Sequence, residues 1–95
     1  MKVVIDDAAL GDLAAIYIWI GDRSPDSAAS VLDHIFEAME RLGRMPHIGH
    51  AGRANDTFEW VVSAYSYVIV YELDRANNRL IVIGVFRGAQ ENRRP

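Results

Sequence analysis

The first half of the chain has the hydrophobic pattern of one short strand followed by two helices. Residues 2–5 form a β-branched run that ends at Asp6 and Asp7, which are suited to cap a helix and to interact with its positive end. Apolar residues then recur with helical spacing over residues 8–20 and again over residues 25–42. Because only a few residues separate the two helices, we expect an antiparallel hairpin.

The two predicted helices differ in how clearly their faces are divided. The second has an N-cap at Ser24, a proline at its first position, and Gly43 placed to end it. In the first, apolar residues widen the stripe until little polar face remains in the last two turns. The C-terminal end of the first helix is therefore apolar on more than one side, and we expect it to pack against two different surfaces.

The second half of the chain has the pattern of three strands. After a loop over residues 44–56, apolar and polar residues alternate over 58–62, and nearly continuous apolar runs follow at 67–73 and 80–86. These runs predict an antiparallel meander. Because the last two are apolar on both faces, we expect the helices to cover one face, and the C-terminal tail or a partner to cover part of the other.

Together the patterns predict an α+β protein of order β-α-α-β-β-β, with the N-terminal strand and the three-stranded meander in one sheet packed on the helix hairpin. With no linker-like composition and no repeat, we expect one domain over residues 1–95. The chain has no cysteine, which excludes disulfides and thiol chemistry. A net charge of −3 gives no general attraction to nucleic acid, and neither a signal peptide nor a membrane span is evident, so we expect a cytoplasmic protein.

Several local sequences in the second half resemble the RelE/ParE superfamily of bacterial toxins from type II toxin–antitoxin systems. In order, they are LGRMP at 42–46 with Gly49, GR at 52–53, EWVV at 59–62, YSYVIVY at 65–71 and VFRGAQ at 85–90. The resemblance implies an antiparallel sheet on an N-terminal helix hairpin, and an antitoxin protein that covers the toxin and holds it inactive. Excess apolar surface on so small a domain independently favours a covering partner.

The expected antitoxin-binding residues combine the end of the first helix with the end of the last strand. They are Tyr17, Trp19, Ile20 and Arg87.

The superfamily contains two kinds of activity. ParE-like members act on DNA gyrase by binding it, whereas RelE-like members cut mRNA on the ribosome. Cleavage of RNA through its 2′-hydroxyl needs a base, an acid and cations on the phosphate. Arg53 and Arg87 resemble family positions that face the active groove, and Glu59 is the candidate base.

The candidate acid is the weak point of a nuclease interpretation. Nuclease members place a histidine or tyrosine near the end of the last strand, and residues 87–94 contain neither. Tyr65, Tyr67 and Tyr71 stay open as alternatives. RelE-like nucleases are also strongly basic, as binding to ribosomal phosphates favours, whereas this chain is acidic.

We therefore expect a ParE-like toxin that binds a protein target, DNA gyrase, and is neutralised by its cognate antitoxin. The alternatives are a RelE-like ribosome-dependent endoribonuclease and an inactive member with a regulatory role in the complex. No cofactor or metal is expected, because His47 and His50 lie in a loop and no further ligand completes a site.

Overall fold

The computed structural model describes residues 1–62 and 65–88. Its elements in chain order are β1 (Lys2–Ile5), α1 (Asp7–Gly21), α2 (Pro25–Arg44), β2 (His50–Ala51), β3 (Thr57–Val62), β4 (Tyr67–Asp74) and β5 (Arg79–Arg87). The predicted α+β class and the order of the predicted elements are confirmed. The short strand β2 is an addition, since it lies in the region predicted as a loop.

The strands form one five-stranded sheet in the order β1-β5-β4-β3-β2. The pairs β2–β3, β3–β4 and β4–β5 are antiparallel. Strand β1 lies parallel to β5, with Val3 opposite Leu80. The meander is confirmed, but the sheet is mixed and has two more strands than the meander. Local patterns do not fix the direction of β1 relative to β5, because nearly the whole chain separates them.

Capping residues set the starts of both helices. The Oδ1 atom of Asp6 accepts the backbone N–H of Ala9 at 2.9 Å, as expected for an N-cap. Ser24 is the N-cap residue of α2 and Pro25 lies in its first turn, but the Ser24 hydroxyl donates to the hydroxyl of Ser27 rather than accepting from the backbone. Both predicted start positions are confirmed.

Gly43 does not end α2, contrary to the expectation, because the helix continues to Arg44. The carbonyl of Gly43 instead accepts the N-terminal ammonium of Met1 at 2.7 Å. A Cβ atom at Gly43 would lie 2.8 Å from Cγ2 of Val3. A glycine is needed here because β1 passes very close to the helix.

The core lies between the helix hairpin and one face of the sheet. The buried stripe of α2 consists of Ala28, Val31, Ile35, Met39 and Leu42. The sheet contributes Tyr67, Ile69, Tyr71, Leu80, Val82 and Val85. The opposite face carries the partly exposed Val70, Ile81, Ile83 and Phe86. Residues 89–95, the tail expected to cover part of that face, lie outside the described residues.

Tyr71 fastens the loop after α2 to the centre of the sheet. Its buried hydroxyl donates to the carbonyl of Pro46 at 2.8 Å and accepts the backbone N–H of Gly49 at 3.2 Å. A Cβ atom at Gly49 would overlap with that hydroxyl oxygen. The ring of Phe58 stacks on the Tyr71 ring with centroids 5.5 Å apart. The course of the loop therefore depends on one buried hydroxyl group.

We predict that Tyr71→Phe lowers the free energy of unfolding by about 1–3 kcal/mol, because it leaves a partly buried N–H and a partly buried carbonyl without their partner. Urea denaturation at neutral pH measures the change. Tyr17→Phe is the matched control, since Tyr17 is exposed, and it should change the free energy by less than about 0.5 kcal/mol. Equal effects of the two substitutions would contradict the role given to Tyr71.

We also predict that this difference shrinks at alkaline pH. Burial raises the pKa of Tyr71 above its ordinary value of 10.0, with the Gly49 N–H acting in the opposite direction. Because the folded protein then holds the phenolic proton more tightly than the unfolded chain, the stabilisation is complete below about pH 10 and is lost as the pH rises through the folded pKa. Unfolding free energies of the wild type and Tyr71→Phe, measured from pH 8 to 11, should converge. A constant difference would show that the Tyr71 pKa is not raised.

Candidate functional site

The C-terminal end of α1 presents large apolar side chains to solvent. Tyr17, Ile18 and Trp19 are 51%, 62% and 43% exposed, although the neighbouring Ile16 and Ile20 are buried. A surface helix ordinarily has polar residues on its outer side. The predicted excess of apolar surface at this end of α1 is therefore present in the fold.

Ile20 is not part of that exposed surface, contrary to its expected place beside Tyr17 and Trp19. It belongs to the core, with 9% of its surface exposed, because residues 13, 16 and 20 lie on one side of the helix and face the interior. Of the four residues predicted to bind an antitoxin, Tyr17, Trp19 and Arg87 reach the protein surface and remain candidates for direct contact with it.

Two arginines stack on Trp19. The Cζ atom of Arg23 lies 3.8 Å from the centroid of the indole ring, and that of Arg87 lies 4.4 Å from it. The Nη1 atom of Arg23 also donates to the carbonyl of Trp19 at 2.7 Å. We call Trp19, Arg23 and Arg87 the Trp19 cluster. Sequence reasoning missed Arg23, which lies in the turn between α1 and α2, four residues after Trp19.

A cavity of about 280 Å³ opens beside the Trp19 cluster. Its lining consists of Asp12, Ala15, Ile16, Trp19, Tyr67, Val85, Phe86 and Arg87. The Oδ2 atom of Asp12 accepts the backbone N–H of Val85 at 2.9 Å. This bond holds α1 against β5 beyond Val82, the last residue of β5 that pairs with β1. Most of the remaining lining is apolar.

A β-bulge decides which face of the sheet Arg87 occupies. Val70 lies opposite Gly84 but Tyr71 lies opposite Val82, so Ile83 is an extra residue in β5. Leu80 and Val82 face the core before the bulge, and Val85 faces it after the bulge. Because side chains alternate along a strand, the extra residue turns Arg87 toward the helices and Trp19.

The residues predicted for RNA cleavage are divided between the two faces of the sheet. The outer face has a depression of about 430 Å³ lined by Arg53, Ala54, Thr57, Glu59, Val70, Ile83 and Phe86. The structure thus brings Arg53 and Glu59 to one depression, while Arg87 stacks on Trp19 on the helix side. The floor of the depression is mostly apolar.

None of the three tyrosines left open as an acid lines this depression. Tyr67 and Tyr71 are buried in the core on the helix side. The hydroxyl of Tyr65 lies 3.3 Å from the Oγ atom of Ser30 on α2. Among the described residues, the depression therefore combines one carboxylate and one guanidinium with an apolar floor.

The described ranges, 1–62 and 65–88, contain neither a metal-binding cluster nor a membrane-spanning helix. No group of three His, Cys, Asp or Glu side chains there is arranged to hold a metal ion. No helix there is both long enough and apolar enough to cross a membrane.

Comparison with solved structures defines the class of fold. The chain resembles a chain of the chromosomal ParDE toxin–antitoxin system of P. aeruginosa with a TM-score of 0.81 and 16% identity, covering 92% of this chain and 95% of that one. It resembles the isolated RelE toxin of E. coli with a TM-score of 0.69 and 15% identity, covering 90% and 82%. The fold is that of the RelE/ParE toxins.

Sequence comparison gives the family. Residues 3–92 match the family model described as the ParE toxin of the type II toxin–antitoxin system, parDE. The chain is also 36% identical over 67 residues to the candidate toxin Y4kP of Sinorhizobium fredii (strain NBRC 101917 / NGR234), an overlap of 70% of either protein. The chain belongs to the ParE toxin family, and the resemblance inferred from its motifs is confirmed.

Proposed function

We propose that this toxin inhibits growth in the cytoplasm by binding a protein target, DNA gyrase, and that a cognate antitoxin neutralises it. One observation carries the choice of binding over RNA cleavage: Arg53 and Glu59 lie on the outer face of the sheet, whereas Arg87 stacks on Trp19 on the opposite side. A base and two phosphate-binding cations are therefore not gathered around one reacting group. The choice of gyrase follows the ParE-like members of the superfamily.

The exposed end of α1 supports an antitoxin partner. Tyr17 and Trp19 are half-exposed aromatic residues, and Arg87 stacks on Trp19. Tryptophan, tyrosine and arginine are the residues most often found to dominate the binding energy of protein interfaces. Two further proteins of similar fold were solved as toxin–antitoxin complexes, RelBE2 of Mycobacterium tuberculosis and RelBE of E. coli. We propose that the antitoxin covers Tyr17 and the Trp19 cluster.

We predict that Glu59→Gln leaves growth inhibition unchanged, because the proposed activity needs no base at this position. The chain and the variant are induced alone, and growth, gyrase-dependent DNA double-strand breaks and mRNA 5′ ends are followed separately. We expect growth arrest with DNA breaks for both. If Glu59 were a general base, the variant would lose about 10²–10⁴-fold in RNA cleavage.

Ribosome-phased cuts in mRNA that disappear in Glu59→Gln would overturn the proposal in favour of a RelE-like endoribonuclease. An absence of any growth effect from the folded wild-type chain would also overturn it, and would favour an inactive regulatory subunit.

We predict that Tyr17→Ala weakens antitoxin binding by about tenfold or more, because it removes an aromatic anchor from the proposed interface. The antitoxin is sought among the products of the genes adjacent to the toxin gene, and calorimetry measures its affinity. Met45→Ala is the matched control, since Met45 is 43% exposed and follows the end of α2, away from the C-terminal end of α1. Equal losses in the two variants would argue against this interface.

A further inference from the structure

The Trp19 cluster carries two positive charges that no carboxylate of the described chain pairs with. The Cζ atoms of Arg23 and Arg87 lie 3.8 Å and 4.4 Å from the same ring centroid, so they are at most about 8 Å apart. The ion pair between Arg79 and Asp74 lies at the other end of β5. Two guanidinium groups at this separation repel each other and favour an anion near both.

The acidic residues near the cluster, Asp12 and Asp22, do not form ion pairs with its arginines. Asp12 shares the cavity with Arg87, but its Oδ2 atom accepts the N–H of Val85. Asp22 directly precedes Arg23 and is the C-cap residue of α1. Neither carboxylate forms an ion pair with the arginines among residues 1–62 and 65–88. The positive charge of the cluster is therefore available to a ligand.

We propose that Arg23 and Arg87 bind a carboxylate of an acidic peptide segment, and that the adjoining cavity takes an apolar side chain from the same segment. Guanidinium groups match carboxylates in planar geometry and in charge. The cavity of about 280 Å³ has Ala15, Ile16 and Val85 in its wall, which suits an aliphatic side chain. The inference rests on the proposed function, in which a partner protein covers this surface.

A peptide fits these observations better than a nucleic acid. The chain carries a net charge of −3, which repels an extended polyanion while leaving a local attraction to a single carboxylate. The cavity beside the arginines is largely apolar and gives a sugar–phosphate backbone few polar partners. Tyr17 and Ile18, in the same turn of α1 as Trp19, are also exposed.

Tryptophan fluorescence tests the site directly. The chain has two tryptophans, so Trp60→Phe leaves Trp19 as the only one. In that background, a short capped peptide alternating leucine with glutamate should change the Trp19 emission on binding. The same peptide with glutamine in place of glutamate should bind about tenfold more weakly. Because Arg23 is exposed and Arg87 is partly exposed, added salt should weaken the glutamate peptide's binding.

Arginine variants then test whether Arg23 and Arg87 bind the peptide carboxylate. Arg23→Gln and Arg87→Gln should each weaken binding of the glutamate peptide by about fivefold or more, and Arg87→Lys should lose less because it keeps the charge. Arg75→Gln is the matched control, since Arg75 is an exposed arginine in the turn between β4 and β5 and should have no effect. Circular dichroism of each variant verifies that it is folded.

Three outcomes would overturn the inference. The first is equal affinity of the glutamate and glutamine peptides, and the second is binding by the two arginine variants that equals binding by Arg75→Gln. The third is tighter binding of a short single-stranded RNA than of the glutamate peptide, with the same dependence on Arg23 and Arg87. The third result would assign the site to phosphate instead.

Antitoxin binding separates this inference from the proposed function. If the antitoxin binds the wild type and the Arg23→Gln/Arg87→Gln variant equally, the carboxylate site is wrong and the toxin–antitoxin proposal stands. If the antitoxin binds neither the wild type nor that variant, while the glutamate peptide still binds the wild type, the proposed function is wrong and the carboxylate site stands.

Discussion

One helix hairpin has to cover a sheet whose two central strands are apolar on both faces. α1 and α2 pack on the face that carries Tyr71, Leu80 and Val82, and these three side chains are fully buried. The other face keeps partly exposed apolar residues, and α1 itself is apolar around most of its circumference. Within residues 1–62 and 65–88, no further helix or strand lies over these surfaces. The exposed apolar surface is therefore a consequence of the fold, and it is the physical basis for assigning partners to this chain.

The unequal lengths of β1 and β5 shape the candidate binding surface. β1 pairs with β5 only from Arg79 to Val82, and the rest of β5 extends beyond it. α1 takes the place of a strand along this second part, where Asp12 accepts the N–H of Val85 and Trp19 meets Arg87. A longer β1 would compete for that N–H. The short first strand thus allows the helix and the last strand to form a shared surface.

The sequence predicted the elements well and their mutual arrangement less well. Helical periodicity, Asp6 and Ser24 give the helices, and alternation gives the meander, because these signals are local. The parallel pairing of β1 depends on contacts across nearly the whole chain. The burial of Ile20 depends on which side of an almost uniformly apolar helix turns inward, and the sequence of α1 has too few polar residues to mark that side.

The position of Arg87 shows why a motif can be present without its chemistry. Counting alternate residues from Leu80 puts Arg87 on the outer face, with Ile81 and Ile83, near Glu59 and Arg53. The bulge at Ile83 reverses the alternation, so Arg87 turns to Trp19 instead. Gly84, directly after the extra residue, is a local signal, because a glycine inside a strand often accompanies a bulge. Ile83 itself gives none, because isoleucine suits either face. One unpaired residue in the strand therefore separates a possible phosphate-binding cation from the candidate base and adds that cation to the surface where we propose the antitoxin binds.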